Sequence, residues 1–225
     1  MDSRLHPANA SSPRNVAAAV VRFVAALTWL ATGICMAGEP QHSYPKLFGT
    51  SETRSDNVKT FPKWTDMLTR HYSEEKRGDP ACVPTRFTRC SIADWLAFID
   101  SERGKDRLTQ LADVNNFLNL HHYIFDKLNY WKTPREFALQ DGDCKDYSIG
   151  KYFSLKLLGW REEDLRVVVV QDLNLRVAHA VLAVYINGAI MILDNQARQV
   201  VRADSIRHYQ PYYSINESSW WLHKP

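Results

Sequence analysis

The apolar positions of this chain change their period once. Up to about residue 160 they recur every three to four residues, and beyond it they gather in β-branched runs. Trp64, Met67, Leu68 and His71 mark a first helix, opened by Phe61-Pro62. Trp95, Leu96, Phe98 and Ile99 mark a second, predicted from Ile92 to about Arg103 with Ser91 as its cap. The longest periodic segment runs from Leu108 to about Leu128, through Leu111, Val114, Phe117, Leu118, His121, Ile124 and Phe125. Thr133-Pro134 then starts a short helix, with proline at the first position, where the N–H it lacks has no helical partner. After a tight turn at Asp141-Gly142, a further helix is predicted from Cys144 to Leu158, stopped by Gly159. Tyr147, Ile149, Tyr152, Phe153, Leu155 and Leu157 cover most of its circumference, which marks a helix buried on several sides and central to the fold.

The second half reads as sheet. Leu165 to Gln171 and Val177 to Ile186 are apolar on both faces, Asn187-Gly188 is a strong hairpin signal, and Ala189 to Leu193 returns as the partner strand. Tyr209 to Ile215 reads as one more strand. Helices first and an antiparallel sheet second make an α+β domain, placed at residues 58–225. Residues 38–57, with Pro40, Pro45 and Gly49, read as an extended lead-in that packs late or stays mobile. Trp220-Trp221 fits a pair closing a core better than exposed partner-binding aromatics.

The first residues differ from the rest. Arg4, Arg14 and Arg22 precede an apolar run, Phe23 to Ile34, followed by Cys35-Met36-Ala37, the layout of a signal peptide over residues 1–37. An uncleaved anchor is the alternative, and the run is short for a membrane-spanning helix, which needs roughly 20 apolar residues. A formal net charge of +3 over 225 residues falls to +1 once residues 1–37 are removed, and no basic patch remains to argue for nucleic acid. The exported part keeps Cys82, Cys90 and Cys144, an odd count that suggests one pair and one free thiol. Cys82 and Cys90 are the natural pair, closing a short loop through Pro84, and two unpaired thiols are the alternative.

Candidate chemistry centres on Cys144, at a helix N-terminus and crowded by Asp141, Asp143 and Asp146. A free cysteine is by default an inert buried side chain, so a base must be found for it. The two-residue turn pairs Ile186 with Ala189 and carries Val181 opposite Asp194, which makes His179 and Asp194 diagonal neighbours on one face, with backbones roughly 7–8 Å apart. A buried imidazole nitrogen without a partner costs on the order of 1–3 kcal/mol, so His179 needs Asp194 even in a purely structural pair. With Cys144 present, the three fit nucleophilic catalysis: thiol attack on an acyl carbon, His179 as base and then acid, Asp194 orienting the ring. The helix start favours negative charge and supplies N–H groups for an oxyanion. His121 and His122, adjacent on a predicted helix and therefore about 100° apart, read as structural or solvent-facing rather than as metal ligands.

The residues also resemble a family. Tyr130-Trp131-x-Thr133-Pro134-x-Glu136-Phe137, Gly142-Asp143-Cys144-x-Asp146-Tyr147, Lys151-Tyr152, Ala178-His179-x-Val181-Leu182-Ala183-Val184-Tyr185 and Leu193-Asp194-Asn195 resemble the bacterial transglutaminase-like cysteine proteinases of the LapG type. The resemblance implies a papain-like, transglutaminase-like fold and a periplasmic endopeptidase with the triad Cys144, His179 and Asp194. It implies a large adhesin as substrate, cut near its N-terminus at paired alanines to release cells from a biofilm. It also implies an inner-membrane cyclic-di-GMP receptor whose periplasmic domain holds the protease inactive. A catalytically silent docking module, a peptidoglycan amidase and a true transglutaminase are the competing readings.

The resemblance further implies calcium, bound with the help of acids on both sides of the cysteine. Asp143 is here, but Lys145 stands where the second acid belongs. Calcium takes six to eight oxygen ligands, and an ammonium removes one and repels the ion. Carboxylates around Cys144 would disfavour its thiolate unless a cation neutralised them, so Lys145 reads as a candidate built-in cation, against the alternative of a solvated surface charge.

Overall fold

The change of period becomes a division between helices and one sheet. The computed structural model describes residues 44–79, 81–86 and 89–225, which fall in one compact unit, Gln41–Pro225. The signal peptide expected over residues 1–37 lies outside the described residues. Five α-helices come first: α1 (Pro62–Arg77), α2 (Ser91–Glu102), α3 (Arg107–Leu118), α4 (Pro134–Gln140) and α5 (Cys144–Leu157). The strands are β1 (Ser51–Ser55), β2 (Leu165–Asp172), β3 (Val177–Ile186), β4 (Ala189–Leu193), β5 (Val201–Arg202), β6 (Tyr209–Ile215) and β7 (Trp220–Lys224). They form one sheet in the order β1-β7-β6-β2-β3-β4-β5, antiparallel throughout.

Successive residues of a strand point to opposite faces, and both faces of this sheet are covered. Val167, Leu182, Val184, Leu193 and Ile215 meet Trp64 and Met67 of α1, Leu111 and Val114 of α3, and Ile149, Tyr152 and Leu155 of α5. Val168, Val170, Val181, Ala183, Ile190 and Ile192 form a second core with Leu47 and Ala203. The central helix is α5, packed on β2, β3, α3 and α4. Its approach to α3 is close enough to need a glycine: a Cβ on Gly150 would lie 2.8 Å from Leu118 Cδ1.

The hairpin register holds, with Ile186 opposite Ala189 and Leu182 opposite Leu193. Cys82 and Cys90 form a disulfide. Trp221 is buried, with the Arg166 guanidinium 3.6 Å from its ring centre, and Trp220 packs on the core beside Phe61.

Three expectations need correction. The segment read as an extended lead-in that packs late or stays mobile is, from residue 44 on, built into the fold: Leu47 is fully buried, and Ser51–Ser55 form an edge strand paired with β7. All but the last of the β1 residues are exposed, so the strand is held by backbone pairing and leaves no apolar period to read. The long helix predicted to Leu128 ends at Leu118, and Leu120, Ile124, Phe125 and Leu128, which continue its pattern, are exposed on the following loop. Its C-cap residue, Asn119, donates its side-chain amide to the carbonyls of Asp194 and Ala197 at 2.9 and 3.1 Å, tying the helix end to the loop after β4. Ser91 is the first residue of α2 rather than its cap, a position taken by the bridged Cys90.

Candidate active site

Local chemistry fixes the turn that carries the nucleophile. Thr133 and Glu136 close a capping box on α4: Thr133 Oγ1 accepts from the Glu136 N–H at 3.2 Å, and the Glu136 carboxylate accepts from the Thr133 N–H at 2.8 Å. The helix ends at Asp141, whose φ of 57° turns the chain back. Gly142 is obligatory there, because a Cβ would lie 2.5 Å from Asp146 Oδ2. Its carbonyl accepts from the Ile124 N–H at 2.8 Å, so the 120s loop holds the turn from outside. Asp146 binds the turn from within, accepting from the N–H groups of Asp143 at 3.1 Å and Lys132 at 3.0 Å. Cys144 follows as the first residue of α5, half-buried and the free cysteine of the described residues.

His179 stands near the start of β3, where that strand runs on past the end of its ladder with β4. Its Nε2 donates to Asp194 Oδ1 at 2.9 Å, which leaves Nδ1 free to serve Cys144, whose sulfur helps hold the proton on the ring. Asp194 accepts from the Gln196 N–H at 2.9 Å and, at its other oxygen, from the Tyr209 hydroxyl at 2.6 Å. Burial pushes the Asp194 carboxyl up, but the bonds from His179, Gln196 and Tyr209 hold it below its ordinary value. Burial likewise pushes the His179 imidazolium down, and Asp194 and Cys144 outweigh this, raising it to about 9. At neutral pH the ring therefore carries a proton beside the sulfur, the state needed for a thiolate–imidazolium pair.

The acids around Cys144 separate into two groups. Asp141 turns away to His121 Nδ1 at 2.7 Å, so His121 anchors the turn, while His122 is exposed. Asp143 and Asp146 join Asp126, from the 120s loop, around the Lys145 ammonium. Lys145 Nζ donates to both Asp143 oxygens at 2.7 and 2.8 Å and lies 3.6 Å from Asp146 Oδ2 and 3.7 Å from Asp126 Oδ2. Both Asp143 and Lys145 are buried.

This donor set does not fit calcium. The ion needs six to eight oxygens at roughly 2.3–2.6 Å, and here the Asp143 carboxylate is already engaged at both oxygens by a cation of its own. Among the described residues, no group of three or more metal-binding side chains is arranged to hold an ion.

Three residues near the site have no role assigned to them from the sequence. Tyr209 braces Asp194 from β6, separated from β3 by β2, and no local pattern announces it. Asp126 lies in the stretch expected to be helix, so its place beside Lys145 was hidden by the wrong boundary. Lys151, seven residues after Cys144 on α5, is fully buried, and its Nζ has no hydrogen-bond partner among the described residues. Burial lowers this ammonium to about 7 against the opposing field of Asp194. A lysine inside so apolar a helix was the available signal.

The chain is also similar to known proteins. Residues 86–223 match the family described as bacterial transglutaminase-like cysteine proteinases. The chain is similar to a solved structure of Legionella pneumophila LapG, at 31% identity over 70% of this chain and 86% of that one, with a TM-score of 0.57. Calcium-bound and EGTA-treated structures of LapG match at the same identity and a TM-score of 0.58, covering 70% and 72% of this chain and 86% of each. No curated protein matches.

Proposed function

We propose, from the premise that this chain belongs to the bacterial transglutaminase-like cysteine proteinases, that it is an exported endopeptidase of the periplasm that cuts a large surface adhesin near its N-terminus. That it is a cysteine protease follows from the family and the likeness to LapG. The observation that carries the reading is the buried His179–Asp194 pair, bonded at 2.9 Å, with the charge of Cys144 helping to keep the imidazole protonated.

The chemistry follows from the atoms in place. The Cys144 sulfur, its proton held by His179, attacks the peptide carbonyl, and the developing oxyanion falls beside the first turn of α5, where the N–H groups of Cys144 and Lys145 precede the helical ladder. His179 then gives its proton to the leaving amine, and a thioester remains on Cys144. Water, deprotonated by His179, hydrolyses the thioester and returns the thiol. Asp194 keeps its charge throughout and fixes the ring, itself fixed by Tyr209 and Gln196.

Release of the adhesin from the cell surface would disperse a biofilm, and an inner-membrane receptor that senses cyclic di-GMP would restrain the enzyme through its periplasmic domain. Both expectations are supported by the resemblance alone. The test is incubation of the purified protein with the N-terminal fragment of a large adhesin from the same cell, with mass analysis of the products. One specific cut, absent with Cys144→Ala, is expected. An intact fragment under conditions where Cys144 is readily alkylated would overturn the choice of substrate while leaving the enzyme class standing.

A further inference from the structure

Lys145 is an unusual residue to find buried at the first turn of a helix. A cation there is unfavourable by about half a unit charge of like sign from the helix dipole, and a buried ammonium needs specific partners. It has three. Asp143 takes two of its N–H groups at 2.7 and 2.8 Å, and Asp146 and Asp126 lie within 3.6 and 3.7 Å. These carboxylates come from the residue before the nucleophile, the first turn after it and the loop that clamps the turn, so Lys145 ties together the three pieces that place Cys144. Without the ammonium, the two buried acids and Asp126 would face one another and the nucleophile uncompensated.

The comparison makes the point sharper. LapG from Legionella has been solved both calcium-bound and EGTA-treated, whereas in this chain the acids beside the nucleophile are neutralised from within. We infer that the Lys145 ammonium is a built-in cation that organises the nucleophile turn in place of a divalent metal, so that this protease works without calcium. Lys145 is a positioning residue, acting on Cys144 through Asp143, Asp146 and Asp126. The inference rests on Cys144 being the protease nucleophile, but its test needs no substrate.

The full-length protein is titrated with calcium chloride by calorimetry and melted with and without EGTA, and the rate of Cys144 alkylation by iodoacetamide is measured in both buffers. The wild-type protein should show no saturable binding at millimolar calcium, an unchanged Tm and the same alkylation rate with chelator. Lys145→Gln removes the charge and leaves a polar donor; it should slow alkylation about tenfold, the effect of one pKa unit of lost field, whereas Lys145→Arg should stay within about threefold of wild type. Lys145→Glu should acquire saturable calcium binding and a Tm that rises with calcium. Stoichiometric calcium binding by the wild type, or loss of its reactivity in EGTA, overturns the inference. So does a folded Lys145→Gln that alkylates at the wild-type rate in EGTA, or a folded Lys145→Glu indifferent to calcium. If a variant does not fold, the wild-type titration still decides. Failure to cut any adhesin fragment would count against the proposed substrate and leave these results untouched.

Discussion

The state of one histidine sets the working range of this site. Burial alone would empty His179 of its proton, but Asp194 and Cys144 bring its pKa to about 9, above the ordinary 6.5. A raised value means that the stabilisation from the imidazolium is fully present below about 6.5 and is lost as pH rises through about 9. The same proton must leave with the amine, so kcat/KM for a peptide should fall on the alkaline side through about pH 9. Tyr209→Phe removes one of the bonds to the Asp194 carboxylate, a charged-group hydrogen bond of about 1.5–3 kcal/mol. It should lower kcat about tenfold at unchanged KM and move that alkaline limb. An alkaline limb that stays put in the variant would mean that Tyr209 does not act through Asp194.

At the level of elements, the site depends on two chain reversals more than on the helices they join. The turn between α4 and α5 needs Gly142 because the Asp146 carboxylate packs against its Cα, 2.5 Å from where a methyl would stand. Gly142→Ala should push Asp146 out of its bonds to the Asp143 and Lys132 N–H groups, lowering Tm and slowing Cys144 alkylation at least tenfold, since buried acceptors lost in this way cost about 1–3 kcal/mol each. Equal alkylation rates in a folded variant would show that the turn tolerates the shift. The second reversal, Asn187-Gly188, does its work at a distance: it sets the register that carries Asp194 to His179.

Across the whole molecule, a sheet apolar on both faces demands cover on both. Helices α1, α3 and α5 cover one face, and the segment around Leu47 covers the other, so residues 44–50 are part of the protease core rather than an attachment to it. Leu47→Ala should cost about 2–5 kcal/mol, the usual range for a fully buried leucine, read as a lower midpoint in urea unfolding. A change below about 1 kcal/mol would show that the second face is covered without it. The catalytic residues belong to neither hydrophobic layer. They meet where the start of α5, the length of β3 that runs past β4 and the loop after β4 converge, which leaves Cys144 partly open to substrate while His179 and Asp194 are buried.

The sequence alone determined the elements whose residues carry their own period: the buried helix after Asp143, strands β2, β3, β4 and β6, and the hairpin register that pairs His179 with Asp194. Those signals are local, since a turn type and an alternation of side chains are fixed by neighbours in the chain. Only the tertiary structure decided where α3 stops, because the apolar residues beyond Leu118 keep a helical spacing while Asn119 binds a loop 75 residues away. Only it found β1, whose backbone pairs without an apolar face, and Tyr209, which reaches Asp194 at the end of β4 from β6, with β2 and β3 between them in the sheet. Lys145 stands between the two. Its charge beside Cys144 was legible at once, but its burial among Asp126, Asp143 and Asp146 depends on a loop that the sequence pattern had assigned to a helix.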